Sequence, residues 1–195
     1  MNIAEFILSL NRFDLLVILF LFGMFVLGFF QGTIRRLLGL ASMLFSFLFA
    51  ANLRDSLGSF LAANWNQMPD EYAVMIGFGT VFVAATIAFT LVIQGFYKHQ
   101  PLFEKATFVD EVIGGFLGVL QGLFLIGCII VILDSFFLLP TASASGGELA
   151  ILRGFQEFFD HSTTAEVFRS RLIPGFFNVF GLLIPNDLKA IYLFR

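Results

Sequence analysis

Val112-Ile113-Gly114-Gly115-Phe116-Leu117-Gly118-Val119-Leu120-Gln121-Gly122-Leu123-Phe124-Leu125-Ile126-Gly127-Cys128-Ile129-Ile130-Val131-Ile132-Leu133 runs for twenty-two residues without a charge, between Glu111 and Asp134. A helix needs ~20 predominantly apolar residues to cross a hydrocarbon core about 30 Å thick. The run does not alternate apolar with polar residues, and a lipid-exposed backbone must satisfy its hydrogen bonds locally, so a helix is required and a strand is excluded. Outward from it, three further charge-free runs appear: residues 15–34 (twenty residues), 37–53 (seventeen) and 72–97 (twenty-six). The expectation is an all-α membrane protein with four transmembrane helices at about 15–34, 37–53, 72–97 and 112–133.

Composition agrees. The 195 residues are 58% hydrophobic and 13% charged, with a mean hydropathy of +0.92, whereas soluble domains run near ~45–50% apolar and ~25% charged. So few charges cannot cover a water-soluble globule of this size. Eleven basic and fourteen acidic residues give a net charge of −3, with no basic cluster to follow a phosphate backbone, so nucleic-acid binding is excluded. The lone Cys128 lies within an apolar run, and His99 and His161 have no ligand-spaced partner. Neither a disulfide within the chain nor a metal or other cofactor site is expected.

Three regions follow: an N-terminal amphipathic segment (1–14), a four-helix membrane domain (15–139) and a C-terminal amphipathic tail (140–195). In the first, Ile3, Phe6, Ile7 and Leu10 share one helical face, and Glu5 and Asp14 argue against a cleaved signal peptide. In the second loop Leu57, Phe60, Leu61 and Trp65 recur at helical spacing, predicting an interfacial helix. In the tail, residues 141–147 form a small-residue linker, and Leu149, Leu152, Phe155 and Phe159 an amphipathic helix. A second short helix is expected from Ser162 to Pro174, followed by an apolar stretch, 173–184, too short to span and so interfacial or re-entrant. Arg35, Arg36, Lys98 and Lys105 gather on one side of the spans, against Arg12, Arg54 and Arg153 on the other. The positive-inside rule then places both termini outside the cytoplasm.

Helices associate in lipid through close approach at small residues. Gly28 and Gly32, the series Gly114, Gly118 and Gly122, Ser42, Ser46 and Ala50, and Thr80, Ala84 and Ala88 are stripes of this kind. The glycine stripes suit packing within the bundle, with a seam to a second copy of the chain as the alternative. Leu27-Gly28-Phe29-Phe30-Gln31-Gly32 and Leu117-Gly118-Val119-Leu120-Gln121-Gly122 share four of six residues, each in a span that begins near an aspartate, Asp14 or Asp110. This is the pattern of a decayed inverted repeat, with Gln31 expected opposite Gln121. Asp14 and Asp110 read as N-caps of their own helices, and Arg35 as an interface anchor. Asp134 reads as a polar terminator at headgroup depth, or else as a buried functional carboxylate.

Four segments together resemble the colicin V production protein family of bacterial inner-membrane proteins. They are Phe13-Asp14 leading to Gly28-x-x-Gln31-Gly32-x-x-Arg35; Val109-Asp110-x-Val112-Ile113-Gly114-x-x-x-Gly118-x-x-Gln121-Gly122; Leu133-Asp134-Ser135-Phe136; and Ser170-Arg171-Leu172-Ile173-Pro174. The sequence departs from the family pattern at Gln31 and Gln121, where arginine is usual, at Arg36, where glutamate is usual, and at Glu111, where arginine is usual. The resemblance implies a multi-pass inner-membrane protein tied to peptide-toxin export and envelope homeostasis, with no catalytic residues to carry over. A non-enzymatic scaffold or accessory factor is expected, with the lipid bilayer, a second copy or other envelope proteins as partners. The alternatives are an oligomeric channel or small transporter using Gln31, Gln121 and Asp134, and a sensor acting through the tail.

Overall fold

The computed structural model describes residues 11–64, 70–96, 107–137, 154, 158–160 and 162–193. The expected helix at residues 1–10, the linker at 141–147, Trp65, Lys98, His99, Lys105 and His161 lie outside them. Four helices are long and apolar enough to cross a membrane: α1 (Arg12–Gln31), α2 (Thr33–Asn64), α3 (Asp70–Phe96) and α4 (Thr107–Phe137). The described residues contain no strand.

Helix α1 stops because Gly32 takes φ +74° while its N–H bonds back to the Gly28 carbonyl at 3.0 Å. Glycine enters this left-handed region without the Cβ clash that other residues meet. The chain reverses over this one residue and starts α2 at Thr33. Helix α1 thus begins and ends three residues before the apolar run at 15–34.

Helix α2 corrects the sequence expectation. Residues 37–53 and the second-loop helix form one helix of 32 residues, about 48 Å long. Arg54, which marked the end of the apolar run, is buried and pairs with Asp187, so the helix continues past it. Further on, a Cβ at Gly58 would lie 2.6 Å from a methyl of Val74, which shows how closely α2 and α3 approach there.

Helix α1 packs chiefly on α4 and α3 chiefly on α2, with α2 and α4 meeting between them. Phe47 of α2 is the aromatic hub of the core. Its ring centroid lies 5.7 Å from Phe78, 6.1 Å from Phe124 and 5.8 Å from Phe176, the last two edge to face, the arrangement aromatic quadrupoles favour. Other phenylalanines, Phe22, Phe30 and Phe116 among them, are exposed and suit lipid. The stripe Thr80, Ala84 and Ala88 also faces outward, because α3 turns Tyr72, Met75, Phe78 and Phe82 into the bundle instead.

The tail comprises α5 (Thr163–Val167), a π-helical turn (Phe168–Leu172), α6 (Ile173–Phe180) and α7 (Asn186–Leu193). Pro174 does not close the helix begun at Ser162, as expected, but lies in the first turn of α6. The wider π turn, in which the Ile173 N–H reaches the Phe168 carbonyl, relieves the clash a proline ring makes with an α-helical turn before it. Phe168 and Phe176 join Leu120, Leu123, Phe124 and Gly127 around one apolar cavity. Phe124 lies ten residues before Asp134 on α4, about 15 Å along the helix axis. The 173–184 stretch folds back along the bundle: Phe176 of α6 meets Phe47 of α2 and Phe124 of α4, and α7 returns Tyr192 to Asp134.

Candidate functional site

Polar side chains collect at the two ends of the bundle. At the tail end the central group is Asp134, which has no exposed surface. Its Oδ2 accepts from Arg169 Nε at 2.8 Å and from Tyr192 Oη at 2.7 Å, and its Oδ1 from Arg169 Nη2 at 2.6 Å. Arg169 Nη1 also donates to Asp160 at 2.5 Å, and the guanidinium sits 5.5 Å from the Phe159 ring centre. Burying a charge is tolerable when its partner is bidentate and the remaining lone pairs are bonded, and Asp134 meets both conditions. Burial opposes the charge on Arg169, but the carboxylates of Asp134 and Asp160 outweigh it and hold its pKa above the ordinary arginine value. Burial, then the Asp134 charge, push the Tyr192 phenol well above its ordinary value. Asp134 is thus a buried, paired carboxylate that the folded-back tail shields from solvent.

The same tail is tied to two more helices. Asp14 lies in the first turn of α1, and it caps not only that turn. Its Oδ1 accepts from the Thr164 N–H at 2.9 Å and the Thr164 hydroxyl at 2.6 Å, and its Oδ2 from the Thr163 N–H at 3.3 Å. These amides open α5, where Ser162 Oγ takes the Ala165 N–H at 3.0 Å. On α2, Arg54 pairs with Asp187 and Asn52 Nδ2 donates to the Leu183 carbonyl at 3.0 Å.

At the opposite end Asp110 repeats the role of Asp14. It lies within α4, not before it, and its Oδ2 accepts from the Thr33 N–H at 3.4 Å while its carbonyl accepts the Thr33 hydroxyl at 2.9 Å. Each aspartate thus caps the start of a different helix, α5 or α2, which corrects the expectation that they serve only their own. A free first-turn N–H is satisfied and the helix dipole meets a negative group.

Between these ends runs the glycine seam of α1 and α4. A Cβ at Gly28 would sit 2.2 Å from the Gly114 carbonyl oxygen, one at Gly118 2.2 Å from that of Met24, and one at Gly114 2.6 Å from that of Gly28. Gly122 faces Leu21 and Met24, and a Cβ on Gly32 would meet Asp110 Oδ2 at 2.5 Å. All five glycines therefore face the same chain, and at Gly28, Gly114 and Gly118 backbone touches backbone.

Gln121 meets Arg36, not Gln31: Arg36 Nη1 donates to Gln121 Oε1 at 2.8 Å. Gln31, Arg35, Arg36 and Gln121 line one cavity, with Ser42 and Thr90 deeper along α2 and α3. Among the described residues no group of three or more His, Cys, Asp and Glu could hold a metal ion.

Sequence reasoning missed Arg36, Arg54, Arg169 and Tyr192 as partners. A signal existed for two of them: Arg36, Met43, Phe47, Ala51, Arg54 and Gly58 follow the three-and-four spacing of one helical stripe, and all are buried. Arg169 and Tyr192 lie 35 and 58 residues from Asp134, and no local pattern connects them.

A family model described as colicin V production protein matches residues 13–173. No curated protein and no solved structure matches the chain.

Proposed function

The chain belongs to the colicin V production protein family, and on that premise we propose that it is a non-enzymatic scaffold of the bacterial inner membrane. In this reading it supports peptide-toxin export and envelope homeostasis by holding a folded tail at the periplasmic ends of four spans. Both termini are periplasmic, and Arg35 and Arg36 lie at the cytoplasmic face.

One observation carries the proposal. Asp14, Asp110 and Asp134, the carboxylates singled out in the apolar helices, each join two separate segments of the chain. Intramembrane acids that serve a transport path face a water-filled cavity. Here they are engaged in assembly, as a scaffold requires.

The test is made in cells that export a peptide toxin and lack this chain. Export should fall, recover with the wild-type chain, and stay low with Arg169→Gln, while purified chain in liposomes passes neither ions nor small solutes. Sustained flux through such liposomes would show the chain to be a channel.

A further inference from the structure

The arginine end of the bundle holds a cavity of about 120 Å³ among Gln31, Arg35, Arg36, Ser42, Thr90 and Gln121. A single water needs only roughly 10–15 Å³, so the space admits a larger polar guest. Two guanidinium groups and two amides line it, and none of the described lining residues is a carboxylate. Arg36 is 94% buried (6% exposed), yet its Nε has no hydrogen-bond partner, and only Nη1 is used, by Gln121. A buried charge-bearing donor without an acceptor is costly, and a buried cation with no anion beside it more so. Gln121 turns its oxygen to Arg36 and thereby leaves its NH2 group as a further donor. Gly39 makes room for that amide, since a Cβ there would lie 3.1 Å from Gln121 Nε2. Ser42 Oγ gives its proton to the Leu38 carbonyl at 2.8 Å. Arg35 is exposed at the same end.

We propose that this cavity binds a phosphate-type oxyanion, with the Arg36 guanidinium and Gln121 Nε2 as inner donors and Arg35 closing over it from the rim. The forked guanidinium matches phosphate oxygens and stays charged at any physiological pH. The cavity lies within three turns of the start of α2, and the phosphate can arrive either on an anionic lipid or free in solution. The site is independent of the scaffold role, since nothing in it depends on the tail.

The experiment uses the full chain in a neutral detergent and calorimetric titration with short-chain phosphatidylglycerol, inorganic phosphate and, for comparison, short-chain phosphatidylcholine. Saturable binding is expected for at least one of the first two, weakened fivefold or more by Arg36→Gln. Arg35→Gln serves as a second variant, because an exposed side chain can be replaced without disturbing the fold, and it too should weaken binding fivefold or more. Phosphatidylglycerol binding that inorganic phosphate does not displace assigns the site to lipid. Binding of inorganic phosphate, or displacement by it, assigns it to free phosphate. Saturation by neither, phosphatidylcholine bound as tightly as both, or a loss of less than fivefold in Arg35→Gln would overturn the proposal and leave a cavity filled with water.

Discussion

Arg169 grips Asp134 with two parallel hydrogen bonds, at 2.8 and 2.6 Å, and so fixes the tail to the end of the fourth span. The Asp134 side chain has no exposed surface and the Arg169 side chain only 17%. Removing one partner leaves the other charge buried and alone, which typically costs about 3–5 kcal/mol. Arg169→Gln should lower the unfolding free energy by about that much and open the tail to protease under conditions that leave the wild-type chain intact. Unfolding in detergent with limited proteolysis checks both.

Tyr192 supplies the third bond to Asp134. Its pKa is raised by burial and by the Asp134 carboxylate, so the folded chain holds the phenolic proton more tightly than the unfolded chain. The resulting contribution is fully present below about pH 10, the ordinary tyrosine value, and is lost as pH rises from there toward the folded value. Tyr192→Phe should cost about 1.5–3 kcal/mol at neutral pH, as expected for a hydrogen bond to a charged group. It should also remove this part of the alkaline loss of stability. Unfolding followed from pH 7 to 11 in both chains tests the pair of effects.

The spans were legible because lipid excludes charge, so runs such as 112–133 declare themselves without any knowledge of packing. The same rule does not give the end of the second helix. Arg54 reads as a stop, but Asp187, 133 residues later, neutralises it and the helix continues to Asn64. Asp134 posed the same problem in reverse: its position at the end of an apolar run says interface, and only the returning tail makes it interior. Short-range patterns report solvent preference and helical face. They are silent about which distant charge completes a pair. The glycine seam lies between these cases, since a four-residue spacing shows that a helix can be approached closely and leaves open by what.

The seam gives a graded series. Alanine at Gly28 or Gly118 would put its methyl 2.2 Å from a backbone oxygen, whereas Gly23 has nothing within 4 Å. Gly28→Ala and Gly118→Ala should each cost about 1–3 kcal/mol by forcing α1 and α4 apart. Gly23→Ala should instead stabilise by up to about 1 kcal/mol, because alanine is the better helix former. The order of the three unfolding midpoints checks this.

Asp14 and Asp110 should separate by location. Asp14→Ala removes the acceptor for Thr163 and Thr164 and should destabilise the start of α5 by about 1 kcal/mol, the usual worth of a cap. Amide exchange should quicken at Thr163 and Thr164 and not at Thr33. Asp110→Ala, which frees the Thr33 N–H, should quicken exchange at Thr33 and leave the tail unchanged.

The most direct test of the tail latch is a double-mutant cycle between Asp134 and Arg169, read by unfolding of the full chain in detergent. The account predicts that Asp134→Asn and Arg169→Gln together cost little more than the worse of the two alone, with a coupling near the top of the ~0.5–3 kcal/mol range seen for residues in contact. Costs that simply add, within about 0.5 kcal/mol, would mean that the pair does not hold the tail to the spans and would contradict the account.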